Sequence, residues 1–354
     1  MVTRIHTIAT ALPEYSISTE EAEARLRDVF SALGEDPGMI RQIFGNTGIE
    51  RRYLARPAAF YLAERGFTAR NQAYEETAPR LAIEAARKAL AQAQLSPEDV
   101  DVVIDTSCTG VMIPAVDVHV ANALGMRRDV RRIPLTEAGC AAGATALGIA
   151  HDLLPSRREG AVALLLAVEL PSLTLQLDDA SRANLVSSAI FGDGAAAVVV
   201  SSRAPRGPAI EHLAHRPVLL PDSTDVMGFD LRTEGFKIIL SQRIPMLVKR
   251  HLREEVDAFL EAQGVSLSQL EFFVAHPGGT KVLDNIRDTL DLEEEDVAAS
   301  RRMLRDYGNL SSASVFYVAK DLLEGGQVPA GAFGLMIAMG PGFTIELALL
   351  RGAR

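Results

Sequence analysis

The sequence predicts an α/β fold of two duplicated halves, with mainly parallel sheets packed in helical layers. Three observations predict it. The chain repeats itself at nearly one offset, and its most apolar runs are short, continuous and separated by helical patterns. Its 354 residues, 48% hydrophobic and 23% charged, are enough to bury a large core.

The repeat carries the most weight. Ser96-Pro-Glu-Asp-Val-Asp-Val-Val-Ile104 and Ser266-Leu-Ser-Gln-Leu-Glu-Phe-Phe-Val274 share a pattern of Ser-led turn, polar residues and apolar run, 170 residues apart (266 minus 96). Helical patterns precede both, at Ala78 to Gln94 and Leu247 to Gln263. Downstream, GCAAGATALGIAHDLL from Gly139 pairs with GNLSSASVFYVAKDLL from Gly308, and GAVALLLAVEL from Gly160 with GAFGLMIAMGPG from Gly331. The boundary therefore falls near residue 205, giving halves 1–205 and 206–354. Within them Val102 to Ile104, Val162 to Ala167 and Ala195 to Val200 read as strands buried on both faces, the mark of parallel sheets under helices.

Departures from the repeat mark insertions. FGDGAAAVVV from Phe191 matches MGPGFTIELALL from Met339 at a shorter offset, so the first half carries extra residues between about Glu169 and Ser188, read as a loop over the site. A second excursion, about Gly207 to Gly235, reads as a hairpin or lid. Thr19 to Arg70 reads as mostly helical and outside both repeats.

Composition excludes several classes of function. The start, MVTRIHTIATALPEY, has no apolar stretch of signal-peptide kind, and no window nears the roughly 20 apolar residues that span a bilayer, so a soluble, cytosolic protein is expected. The two cysteines, Cys108 and Cys140, stand in no metal or disulfide spacing, and no metal is expected. A formal net charge of -10 argues against a nucleic-acid partner.

Superposing the repeats indicates where chemistry could converge. Cys140 and Asn309 occupy nearly equivalent positions at helix starts, and His276 ends a strand where Thr106 ends its counterpart. A twofold packing of the halves brings these ends into one pocket. A helix N-terminus favours thiolate over thiol, and Gly139, Ala141, Ala142 and Gly143 leave room for a substrate at Cys140. His276, followed by Pro-Gly-Gly, has little steric cover and suits a base, an acid or an oxyanion donor. Asn309 reads first as an N-cap that can still turn its amide into the pocket. Cys108, in TSCTG, reads as a structural or pocket-lining thiol.

These residues also carry a family resemblance. EAGCAAG, VAHPGG, YGNLSSAS, IFGDGAAAVVV and the closing MGPGFTIE, together with GNTGIERRYL, GFTARN and TSCTGVMIPAVD, resemble type III polyketide synthases, the chalcone synthase-like enzymes of the thiolase fold. Bacterial phloroglucinol-forming and alkylpyrone- or alkylresorcinol-forming members resemble it best. The resemblance implies a homodimer that extends an acyl-CoA starter on Cys140 with malonyl-CoA and closes a pyrone, resorcinol or phloroglucinol-type ring, with His276 and Asn309 as partners and no cofactor. It implies a gatekeeping role for Phe191 and pocket roles for Cys108, Thr174, Ser187, Phe229, Ile238 and Ser311. It further implies that Ile113 reaches across a dimer interface, and that Arg41 and Lys281 contact CoA phosphates. Ile238 stands where many relatives carry an aromatic gate, which points to an aliphatic starter passing between Ile238 and Cys108. The alternatives are a ketoacyl-carrier-protein synthase III, whose His-Gln-Ala-Asn context HPGG does not match, and a non-enzymatic scaffold, which has no need of all three polar groups.

Overall fold

The first half starts at β1 (Thr3–Ala11) and β2 (Tyr15–Ser18), then passes through α1 (Thr19–Ala32), α2 (Pro37–Gly45), β3 (Arg51–Leu54) and α3 (Ala58–Ala63). It continues with α4 (Phe67–Ala93), β4 (Val100–Thr106), α5 (Val116–Leu124), β5 (Arg131–Leu135), α6 (Ala142–Leu153), β6 (Val162–Glu169), α7 (Arg182–Ile190) and β7 (Gly194–Ser201). The second half contains β8 (Ala209–Leu219), β9 (Met227–Arg232), β10 (Gly235–Leu240), α8 (Ile244–Ala262), β11 (Leu270–Ala275) and α9 (Thr280–Leu290). It closes with α10 (Ala298–Tyr307), α11 (Ser314–Glu324), β12 (Phe333–Gly340) and β13 (Thr344–Ala353). The computed structural model describes residues 2–63 and 66–354. Among them no helix is long and apolar enough to cross a membrane.

One nine-stranded sheet organises these elements, in the order β11-β12-β13-β8-β1-β7-β6-β4-β5. The order mirrors itself about the β1·β8 contact. On one side β1·β7 and β7·β6 are antiparallel and β6·β4 parallel; on the other β8·β13 and β13·β12 are antiparallel and β12·β11 parallel. At the seam β1 and β8 run antiparallel through Thr3↔His212, Arg4↔Glu211 and Ile5↔Ile210. A twofold axis perpendicular to a sheet reverses strand direction, so strands meeting across it must be antiparallel.

Parallel pairing, expected to predominate, is confined to the flanks at β4·β5, β4·β6 and β11·β12, while the inner pairs are antiparallel. A second correction concerns Gly207 to Gly235. Only β9 and β10 form the expected hairpin, whereas Ala209–Leu219 is the core strand β8. Its sequence hid this because its charged side chains are satisfied locally. Arg4 and Arg351 clamp Glu211 at 2.8 and 2.6 Å, and Arg216 reaches Glu255 at 2.6 Å. The supposed loop after Glu169 contains a 3-10 turn at Pro171–Thr174 and the helix α7.

Helices α6 and α11 lie at the centre, which explains their small and apolar residues. Val315, Phe316, Val318 and Ala319 on α11 and Ala146 and Leu147 on α6 are fully enclosed. A helix apolar all round has to be covered all round. Gly143 permits the approach, since a Cβ there would lie 2.3 Å from the Ser312 carbonyl oxygen.

Candidate active site

Two equivalent short turns bring the polar groups together. Cys140 lies in the 3-10 turn Gly139–Ala141 that leads into α6, and Ser311 opens the matching turn Ser311–Ala313 that leads into α11. Gly139 has φ +56°, and a Cβ there would meet Pro341 at 2.5 Å, so only glycine fits before the cysteine. Ser311, at φ +49°, occupies the left-handed region without being glycine, a strain of a kind concentrated at functional sites. Its Oγ stands 3.3 Å from the Cys140 sulfur and 3.6 Å from the Cys108 sulfur.

Asn309 is held so that its acceptor is used up. The Ser311 backbone N–H donates to its Oδ1 at 2.8 Å and the Ser314 hydroxyl at 3.3 Å, while its Nδ2 has only the Gly278 carbonyl, at 3.5 Å. The amide therefore presents N–H toward the turn that follows His276. Its backbone bridges Phe191, with the Gly192 N–H donating to the Asn309 carbonyl at 3.1 Å. His276 leaves the end of β11 with its N–H donating to Ile337 at 2.8 Å; its ring is buried, and its Nδ1 has no partner among the described residues.

A buried carboxylate that the sequence reading missed completes the cluster. Glu169, fully enclosed at the end of β6, accepts from the Ser312 hydroxyl at 2.5 Å, the Thr109 hydroxyl at 2.8 Å and the Cys108 backbone N–H at 3.1 Å. A charged residue ending an otherwise wholly apolar strand was the available signal. Among the described residues no group of three or more His, Cys, Asp or Glu side chains is arranged to hold a metal ion.

The other predicted residues divide among separate places. Thr174, Ser187 and Phe191 line one largely apolar cavity of about 80 Å³, walled also by Ile17, Leu26 and Leu54. Cys108, Ile238, Phe229 and Ser311 do not line it. Phe229 and Ile238 instead face each other across the β9·β10 hairpin, with Phe236 edge-on to Phe229 and Phe67. Arg41 and Lys281 are both exposed, on α2 and α9, which meet where the Thr280 hydroxyl donates to the Asn46 carbonyl at 3.0 Å. Ile113 is 95% exposed beside Val111.

Comparison with known proteins settles the family. The model of the N-terminal domain of chalcone and stilbene synthases matches residues 8–204, and that of the C-terminal domain matches residues 212–354. The chain belongs to the chalcone and stilbene synthase family. A 1,3,6,8-tetrahydroxynaphthalene synthase of Streptomyces peucetius is 37% identical, the match covering 99% of this chain and 93% of the relative. The phloroglucinol synthase of Pseudomonas fluorescens is 30% identical, with 95% of each chain covered. The crystal structure of the tetrahydroxynaphthalene synthase of Streptomyces coelicolor superposes with a TM-score of 0.94 at 31% identity, covering 99% of each chain. The protein is thus a type III polyketide synthase of thiolase-like α/β fold, an acyltransferase that condenses malonyl-CoA.

Burial governs the titration of this synthase's polar cluster. Cys140 keeps part of its surface open, yet protein crowded around the sulfur pushes the thiol up to about 12; the Ser311 hydroxyl opposes the rise and Glu169 adds to it. Burial likewise pulls His276 down to about 4. Burial also raises Cys108 and Glu169, the latter restrained by its hydroxyl and N–H donors. Desolvation favours the thiol at Cys140 and the neutral imidazole at His276.

Proposed function

We propose that the synthase loads an aliphatic acyl-CoA starter on Cys140, extends it with malonyl-CoA and releases a pyrone, resorcinol or phloroglucinol-type ring. The observation that carries this reading is the Cys140–Ser311–Asn309 constellation, whose amide N–H faces the turn after His276. A neutral imidazole is the form that takes a proton. As the Cys140 sulfur attacks the thioester carbonyl, its proton passes to His276; the carbon–sulfur bond to CoA breaks, and the imidazolium returns the proton to the departing CoA sulfur.

Malonyl-CoA then loses carbon dioxide, and the electron pair left behind forms an enolate. The Asn309 amide N–H and the N–H of the neutral His276 ring donate hydrogen bonds to its oxygen. The enolate carbon attacks the Cys140-bound carbonyl, a carbon–carbon bond forms, the carbon–sulfur bond to Cys140 breaks, and the thiolate released takes up a proton from solvent. Arg41 and Lys281, both exposed on α2 and α9, are assigned to the CoA phosphates. A homodimer is proposed on the 95% exposed Ile113, an apolar side chain that gains by insertion into a second copy.

The apolar cavity behind Phe191 supports an aliphatic starter over coumaroyl-CoA. Each buried methylene adds about 0.8 kcal/mol, so kcat/KM rises with chain length until the chain outgrows the space. The test pairs acetyl-, hexanoyl-, decanoyl-, palmitoyl- and coumaroyl-CoA with malonyl-CoA, following protein acylation and products by mass. Acyl groups attached to the wild type and absent from Cys140→Ala support the assignment. Acylation surviving Cys140→Ala overturns it, and a maximum at coumaroyl-CoA overturns the aliphatic preference alone.

A further inference from the structure

One side of the cavity behind Phe191 is formed by a cation with no counter-ion among the described residues. Arg52, on β3, is 2% exposed. Its Nη1 donates to the Ser188 carbonyl at 2.8 Å, its Nη2 donates to the Thr19 hydroxyl at 3.0 Å, and its guanidinium lies 5.5 Å from the centre of the Phe44 ring. Those two bonds leave most of the five guanidinium donors unused, and Nε–H has no acceptor among the described residues. Burial pulls the group down to about 10, and no carboxylate among the described residues counteracts it.

The hydroxyls around the same cavity are already committed. Tyr61 and Ser172 are 2.7 Å apart, and Ser172 donates to the buried Asp193 at 2.5 Å. Thr174, Ser187 and Ser188 donate to the carbonyls of Pro171, Asn184 and Leu185 at 2.8, 2.9 and 2.8 Å. The space thus combines apolar walls with one under-used positive group. A buried guanidinium is costly until an anion meets its planar donors, and a carboxylate matches them best.

We propose that this cavity binds an aliphatic carboxylate, with Arg52 as the group that holds its charged end. Two sources share that chemistry: a free fatty acid, or a starter whose acyl chain ends in a carboxylate. The site stands close to the proposed chemistry. A Cβ on Gly192 would lie 3.2 Å from the Arg52 Cβ, and the Gly192 N–H is bonded to Asn309.

Calorimetric titration of the full-length protein with octanoate and with octan-1-ol isolates the charge at fixed chain length. The proposal expects octanoate to bind about tenfold to a hundredfold more tightly, the range of a charge-assisted hydrogen bond. Arg52→Met removes that preference, and Leu26→Trp fills the cavity and removes octanoate binding with Arg52 in place. Equal affinity for the two probes, absence of octanoate binding, or a preference that persists in Arg52→Met overturns the site. If Arg52→Met does not fold, octanoate binding unchanged in Leu26→Trp overturns it instead. Comparing Cys140 acylation by octanoyl-CoA and by the mono-CoA thioester of octanedioic acid separates the sources. Preference for the diacid thioester assigns the site to the starter's far end; equal acylation together with octanoate binding assigns it to a free acid. Failure of all acylation would count against the condensation reading and leave the octanoate result standing.

Discussion

The two halves of the molecule share one frame and fill it with different chemistry. The strand ending at Thr106 in the first half corresponds to the one that delivers His276 in the second. The turn before α6 presents Cys140, while the position before the matching turn of α11 presents Asn309. At the end of β6 stands the buried carboxylate Glu169, and at the end of β12 stands Gly340. Neither half holds a complete site. The mirrored order about β1·β8 carries one set of strand ends and helix starts onto the other, so each slot pairs two different groups at the centre. Duplication supplies positions, and divergence within equivalent positions supplies a thiol on one side and an imidazole and an amide on the other.

The largest expected effect separates the roles of the two equivalent turns. Asn309→Ala should lower malonyl-CoA decarboxylation about a hundredfold, the cost of one lost donor to a developing oxyanion, and leave starter acylation of Cys140 close to wild type. Carbon dioxide release and single-turnover acylation measure the two steps separately. Equal losses in both would reduce Asn309 to a structural cap, and the comparison between the halves would lose its chemical content.

A smaller effect tests the contrast between Glu169 and Gly340. A Cβ at residue 340 would lie 2.7 Å from the Ala141 Cβ and 2.9 Å from the Ala138 carbonyl oxygen, pressing on the turn that holds Cys140. Gly340→Ala should cost about 1–3 kcal/mol, the usual range for overpacking. It should also slow acylation, read in a urea midpoint and in the acylation rate. An unchanged midpoint and rate would show that the two strand ends are interchangeable.

The smallest effect concerns the seam. His151 on α6 and His212 and His215 on β8 lie with ring centres 4.5 to 5.7 Å apart, next to Thr3, whose hydroxyl is 3.0 Å from His151, and Asp152, 3.4 Å from His215. Burial first, then the neighbouring imidazoles, pulls His212 down to about 3, and burial also lowers His151. A histidine whose folded value is depressed takes up its proton in the unfolded chain first. The stability it contributes is therefore present above about 6.5 and is lost as pH falls toward 3, at about 1.4 kcal/mol per unit for His212. Urea midpoints between pH 7 and 5 should fall more steeply for the wild type than for His212→Gln. Parallel curves would remove the seam histidines from the acid response.

How much was legible depends on what each signal measures. Burial on both faces writes itself into composition, so Val100–Thr106, Val162–Glu169 and Gly194–Ser201 could be read as strands, and the central helices α6 and α11 were visible as a repeated segment. The same repeat nominated Cys140, His276 and Asn309, because duplicated chains keep their landmarks at constant offset. Strand β8 escaped since ion pairs with Arg4 and Arg351, far away in sequence, make its Glu211 tolerable. Glu169 escaped for a similar reason: its donors come from Cys108, Thr109 and Ser312, and only folding assembles them.

By itself, then, the sequence determined the α/β class, the duplication and the residue types that chemistry would use, since periodicity and offset are properties of a line of residues. Only the tertiary structure decided which strands run antiparallel, where the apolar cavity opens, and in which direction burial shifts Cys140 and His276. Those depend on what surrounds an atom in space. Solvent exclusion raises a thiol, lowers an imidazole and lowers the Arg52 guanidinium, and none of these follows from the neighbours a residue has along the chain.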